Sequence, residues 1–147
     1  MPRMIFVNLP VTDLAATTRF YEAIGCVKNE QFSDANAVSM MWSDTIVFML
    51  LRNEFYSTFT SKKIVDAHGA SETLLALSFE SREEVDAFTA AAGRAGGKVD
   101  VRPPQELGFM YSRSVEDPDG HVFEPVWMDP SAIEGAADEA DAKSVHA

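Results

Sequence analysis

The sequence predicts an α+β protein built as two tandem β-α-β-β-β modules, and three observations carry that prediction. Two apolar runs, Met4 to Pro10 and Thr73 to Phe79, each lead through a capping signal into an amphipathic helix that stops at glycine. Each helix is followed by three strand candidates with no further helix between them. A strong turn signal, Asp117-Pro118-Asp119-Gly120, separates the last two strands of the second half and marks them as a hairpin.

In the first half, MIFVNLP is apolar but for Asn8 and predicts a strand. Thr12 and Asp13 follow as helix caps. Leu14, Thr17, Tyr21 and Ile24 then recur at helical spacing, and Gly25 offers the stop. Cys26 to Phe32, Ala35 to Trp42 and Thr45 to Leu51 predict three strands parted by Ser-Asp-Ala-Asn and Ser-Asp turns. Residues 52–72 mix aromatics with polar groups at no sustained period, which predicts a long linker containing one short helical turn. In the second half, Ser81 and Glu84 form a capping box, and Val85, Phe88 and Ala92 give the stripe of a helix that ends at Gly96-Gly97. Lys98 to Arg102, Phe109 to Glu116 and His121 to Met128 predict the last three strands. The organisation is therefore a first module over 1–51, a linker over 52–72, a second module over 73–128 and an acidic tail over 129–147. The repeat lies in the order of elements, with little shared sequence.

Charge narrows the partners. With 12 Lys and Arg against 23 Asp and Glu, the formal net charge is −11, which disfavours nucleic acid and anionic membrane surfaces as partners. The tail holds five acids and one Lys, a composition that favours disorder. The single cysteine, Cys26, excludes an intrachain disulfide and a CxxC zinc or redox pair. Neither an apolar leader nor a membrane-length apolar run is visible, so the expected setting is cytoplasmic.

Within the mostly apolar strand that follows the Asp-Pro-Asp-Gly turn, Glu124 stands out. A buried carboxylate is costly unless it is paired, hydrogen-bonded or bound to a metal, so Glu124 reads either as a metal ligand or base, or as a structural carboxylate.

The duplicated order, the LPVTDL segment leading a helix with RFYEAIG, and the closing DPDGHVFE together resemble the vicinal oxygen chelate superfamily of glyoxalases, bleomycin-resistance proteins and extradiol dioxygenases. The QFSDANAVSMMWSDTIVFMLL stretch and the following FYSTFT resemble a bacterial branch of predicted lactoylglutathione lyases. The resemblance covers about residues 4–128. It implies mixed sheets that curl around a shared cavity, and a divalent metal that chelates two neighbouring substrate oxygens as a Lewis acid. It also implies where the ligands should stand: Phe6 on the first strand, Phe48 or Met49 on the fourth, Leu74 on the fifth and Glu124 on the eighth. Only Glu124 can ligate, whereas a two-His-one-carboxylate site needs three converging ligands.

Strand parity places Asn8, Leu74, Ala76, Ser78 and Val122 on the same side as Phe6 and Glu124. Candidate substrate contacts are thus Asn8, Met49 and Ser78, with Tyr111 and Arg113 as contacts to a bound anion if their strand face points inward. Asn8 reads first as a cap on a neighbouring strand's backbone and second as a group that orients a substrate oxygen. Two functions remain open. One is a glyoxalase-type lyase on a small oxygenated substrate, with Glu124 as base or metal ligand. The other is a metal-free module that sequesters an organic molecule. Either is expected to form a homodimer, because open sheet edges favour association.

Overall fold

The computed structural model describes residues 2–132, so most of the tail over 129–147 lies outside the described residues. The first half runs β1 (Ile5–Val11), α1 (Leu14–Ala23), β2 (Val27–Asn29), β3 (Ala37–Met41) and β4 (Ile46–Arg52). A short α2 (Asn53–Tyr56) opens the linker. The second half runs β5 (Leu74–Phe79), α3 (Arg82–Arg94), β6 (Lys98–Val99), β7 (Gln105–Glu106), β8 (Met110–Ser112), β9 (Val115–Glu116) and β10 (Val122–Met128). The first sheet has the order β1-β4-β3-β2, with β1 parallel to β4. In the second sheet β5 is parallel to β10, which pairs antiparallel with both β8 and β9, and these pair in turn with β7 and β6. Two curled mixed sheets of the same connectivity result.

The caps explain the helices. Asp13 accepts a hydrogen bond from the Ala16 N–H at 3.0 Å and starts α1, while Gly25, at φ 113°, supplies the left-handed residue just beyond its end. The capping box of α3 is present: Ser81 Oγ accepts from the Glu84 N–H at 3.1 Å, and Glu84 reaches back to the Glu80 N–H at 2.8 Å. Thr12 caps nothing here. Its N–H and hydroxyl both donate to Asp119 of the other half, at 3.0 and 2.8 Å.

Three strand boundaries depart from the sequence reading, each for a local reason. Cys26 to Phe32 is strand only to Asn29, whose side chain accepts from the Gln31 N–H at 3.2 Å and turns the chain into a 3₁₀ turn over Glu30–Phe32. Phe109 to Glu116 is split into β8 and β9, although both keep one register against β10. The interruption falls where Arg113 donates to the carbonyl of Pro125 at 3.1 Å and proline has no N–H to return. Lys98 to Arg102 is strand only to Val99, for reasons that belong to the site below.

The two halves share one core. Phe48 of β4 and Phe123 of β10 stack edge to face at 5.2 Å, and Tyr21 of α1 touches both rings at 5.9 Å. A second aromatic group, Trp42, Phe79 and Phe88, joins the end of β3 to β5 and α3 at 5.2 to 5.9 Å. Polar bonds reinforce this union. The fully buried Tyr21 hydroxyl donates to Asp117 at 2.7 Å, and the other oxygen of Asp117 accepts from the N–H groups of Asp119 and His121, each at 2.9 Å. Burial pushes the Tyr21 phenol well up from its ordinary range and raises the Asp117 carboxyl, the latter against the nearby His121 and the Tyr21 hydrogen bond. His121 is half-buried, and its Nε2 lies 2.8 Å from the Pro10 carbonyl oxygen. Among the described residues no helix is long and apolar enough to cross a membrane.

Candidate functional site

The site is created by a bulge in the second sheet. Val99 of β6 lies opposite Val115, and Gln105 of β7 lies opposite Ser112, so six steps along one strand face only three along its neighbour. Residues 100–104 absorb the excess. Asp100 takes a left-handed φ of 52°, which aspartate tolerates better than most residues, and Pro103 with Pro104 withholds two N–H groups from the ladder. The bulge throws its two long-range ion-pair partners to opposite sides of the sheet.

On one side lies Glu124. Along β10 the buried Phe123 and Pro125 point into the core, leaving half-buried Val122, Glu124 and Val126 on the outer face beside Leu74, Ala76 and Ser78 of β5. Arg102 meets Glu124 there: its Nε donates to Glu124 Oε2 at 3.0 Å and its Nη2 lies 2.9 Å from the same oxygen. Nη2 also donates to Ser112 Oγ at 2.9 Å, and Nη1 donates to the Pro103 carbonyl at 3.1 Å. The guanidinium is held on three sides, at 29 % side-chain exposure against 21 % for Glu124. Glu124 Oε1 has no hydrogen-bond partner among the described residues.

On the other side, facing α3, Asp100 receives Arg113 Nε at 3.0 Å and Nη2 at 2.7 Å, while Arg113 Nη1 and the Tyr111 hydroxyl both reach Asp86, at 3.0 and 2.7 Å. The Arg113 guanidinium holds the Asp100 carboxyl below its usual range, and its hydrogen bond to Asp100 raises its own basicity further. Parity, open in the sequence, is settled by Ser112: because Ser112 faces Arg102 and Glu124, its neighbours Tyr111 and Arg113 face away. Tyr111 and Arg113, expected as anion contacts only if their face points inward with Glu124, therefore do not share its face. Their polar atoms tie β8 to α3 and the bulge, on the face opposite Glu124.

The remaining candidates divide between the sheets. Ser78, exposed and opposite Val126, shares the outer face of Glu124. Asn8, also exposed, lies opposite half-buried Met49 on the outer face of the first sheet. Arg102 is the residue that sequence reasoning missed as a partner. The Val-Arg-Pro-Pro run was a signal that the strand must end, but not of where the arginine would point.

The metal implied by the superfamily resemblance does not fit these residues. Phe6 and Leu74 present exposed hydrocarbon, Phe48 is buried in the shared core, Met49 offers at most a thioether, and Glu124 is tied to an internal cation. No group of three or more His, Cys, Asp or Glu side chains able to hold a metal occurs among the described residues. Cys26 offers no nucleophile either, since burial pushes its thiol up to about 12.

Fold and site together define a paired-module α+β protein of the glyoxalase type in which an arginine stands against the eighth-strand carboxylate. A sequence model of the Glyoxalase/Bleomycin resistance protein/Dioxygenase superfamily matches residues 3–124, and the chain belongs to that family. A hypothetical protein from S. aureus, SA1046, is 26 % identical with a TM-score of 0.72, the match covering 86 % of this chain and 95 % of that one. A family enzyme from Burkholderia phytofirmans PsJN is 19 % identical at a TM-score of 0.69, covering 86 % and 99 %. The fosfomycin resistance protein FosX from Mesorhizobium loti is 19 % identical at 0.62, covering 90 % and 94 %. Likeness at 19 % identity shows shared fold alone. No curated protein matches the chain.

Proposed function

We propose that this protein binds a small organic molecule without a metal ion, as a sequestering module of the glyoxalase and bleomycin-resistance type. The observation that carries this reading is the Arg102 to Glu124 pair. The superfamily position that would donate a carboxylate to a metal is here neutralised by the chain's own guanidinium, and the other positions carry hydrocarbon or, at Met49, a thioether. Binding an organic ligand only in the folded state raises the melting temperature. The test is elemental analysis of protein purified without chelator or affinity metal, with melting curves in added Ni, Zn, Mn and Fe. No stoichiometric metal and unchanged melting are expected. Near-stoichiometric metal that disappears in Glu124→Gln would overturn the reading.

A lyase-type reading is favoured by one observation: Arg102 engages only Oε2, so Oε1, without a hydrogen-bond partner among the described residues, keeps its lone pairs to take a proton from a carbon beside a carbonyl. On that reading Glu124→Gln abolishes turnover of an α-hydroxy carbonyl substrate while leaving its binding in place.

We also propose a homodimer. The outer faces of the two sheets expose Phe6 at 56 % and Leu74 at 55 %, and Val27 at 67 % extends the first patch, apolar area that a second copy would cover. Light scattering after gel filtration returns twice the chain mass on this reading, and a monomer at high concentration would remove it. A soluble cytoplasmic setting accords with the charge and with the absence of a membrane-length helix among the described residues.

A further inference from the structure

A cavity of about 480 Å³ lies where the halves meet, and none of Glu124, Met49, Ser78, Tyr111 and Arg113 lines it. Its walls are the free edges of β1 and β5. Among the described residues each of these strands has a single neighbour, β4 and β10 respectively, and the two do not pair with each other. Pro10 contributes to the separation: it has no N–H to offer a facing strand, and its carbonyl lies 2.8 Å from His121 Nε2. Linker residues between 60 and 72 roof the gap, and Val7, Leu75 and Val122 give it an apolar floor.

Its charge is opposite to that of the chain. Lys62 and Lys63 line the cavity against a single carboxylate, Glu72, in a protein of formal charge −11, and neither lysine forms an ion pair among the described residues. Asn8, whose side chain forms no hydrogen bond among the described residues, lines the same space. An adjoining cavity of about 420 Å³, sharing Pro10, Ile64, Val65, Ala67 and His121, has the reverse lining: Asp66 and Asp119, with no lysine. The linker thus divides a cationic chamber from an anionic one. A low-dielectric wall with two unneutralised ammonium groups at its rim favours an anion over a neutral molecule of the same shape.

We infer that the seam cavity binds a small amphipathic organic anion, its carboxylate or phosphate head at Lys62 and Lys63 and its hydrocarbon body against Val7, Leu75 and Val122. This rests on the metal-independent binding reading for the expectation that an organic ligand is taken at all. The class of ligand and its location come from the cavity itself.

The experiment is calorimetric titration of the full chain with 4-phenylbutanoate, 3-phenylpropyl phosphate and the neutral 4-phenylbutanamide, repeated on Lys62→Gln/Lys63→Gln. Both lysines are exposed, so the variant is expected to melt with the native protein. In the native protein at least one anion should bind about tenfold more tightly than the amide, with the preference shrinking as salt rises. Which anion binds separates a carboxylate site from a phosphate site. In the double variant the anions should fall to the level of the amide while amide binding persists. Equal binding of acid and amide to the native protein, or a preference that survives loss of both lysines, would overturn the inference and leave metal-independent binding standing. Failure of all three probes would overturn it as well. Stoichiometric metal in the elemental analysis would instead remove the reading beneath it.

Discussion

The two halves of this protein share one order of elements and differ in how their sheets are finished. The first sheet is regular: β1 and β4 pair over seven residues each, and their outer face carries Phe6, Asn8, Val47 and Met49 without an ion pair among them. The second is interrupted twice, by Pro125 opposite Arg113 and by the bulge over residues 100–104. Among the described residues, the ion pairs whose members are both mostly buried lie there. Irregularity and polar chemistry coincide because a regular ladder gives a strand residue only two directions. A bulge supplies a third, and it is what brings Arg102 onto Glu124 and Asp100 onto Arg113 from the same short stretch.

The sharpest way to break the comparison is through the contact that unites the halves. Phe48 belongs to the regular sheet and Phe123 to the irregular one, yet both are fully buried and in contact at 5.2 Å. Phe48→Ala and Phe123→Ala should each cost about 3 to 5 kcal/mol, and a cycle with the double variant should show coupling. Denaturant unfolding followed by far-ultraviolet circular dichroism checks this. A single transition in which both variants lose comparable stability marks one cooperative core; two transitions, each sensitive to one variant, would mean that the halves fold separately.

A smaller difference is expected at the glycines that end the two helices. A Cβ on Gly97, after α3, would stand 2.6 Å from the Glu116 carbonyl oxygen and 2.7 Å from the Phe20 ring. On Gly25, after α1, it would meet nothing nearer than Trp42 at 3.8 Å, and the cost is that of φ 113° alone. Gly97→Ala should therefore cost about 2 to 3 kcal/mol and Gly25→Ala about 1 to 2 kcal/mol. Equal losses would show that the chain around Gly97 yields.

Much of the fold was legible because local signals and long-range packing agree. Asp13, the Ser81 and Glu84 box, Gly25 and the Asp-Pro-Asp-Gly turn each do locally what their residue types predict. The turn is more than a connection: Asp117 and Asp119 bind Tyr21, Thr12 and Thr17 of the other half, so one motif caps itself and joins the halves. The superfamily was readable from the same segments. The pairing of Glu124 was not, because Arg102 reaches it only through a three-residue register shift that depends on which strands are neighbours. Periodicity carries no information about that shift. The facing of Tyr111 and Arg113 was hidden for the same reason, and it became fixed once Ser112 was seen against Arg102.

The buried clamp between halves offers a prediction with a pH dependence. Burial raises the Asp117 carboxyl in the folded state above its unfolded value. Its contribution to stability is therefore full below the unfolded carboxylate range, about 4, and is lost as pH rises through the folded value. Asp117→Asn removes that dependence, so the stability difference between native protein and variant should shift in favour of the variant as pH climbs from the acid side. Tyr21→Phe removes the hydrogen bond that helps the charged form, costs about 1 to 3 kcal/mol and pushes the Asp117 carboxyl higher still. Melting curves of the three proteins across pH decide it; parallel curves for Asp117→Asn and the native protein would contradict a raised Asp117.

The smallest effect belongs to the feature that most distinguishes the second half. Arg102 and Glu124 keep 29 % and 21 % side-chain exposure, so solvent screens their attraction and Arg102→Met should cost only about 1 kcal/mol, most of it from leaving Glu124 and Ser112 Oγ without a donor. Converting both members, Arg102→Met with Glu124→Gln, should recover part of that loss, because no half-buried charge then remains unpaired. A double variant less stable than either single would mean that the pair holds the bulge in place and that its net contribution is structural. Recovery would mean that the fold does not require the pair, and that a guanidinium facing the superfamily's metal-ligand position answers to what the protein binds.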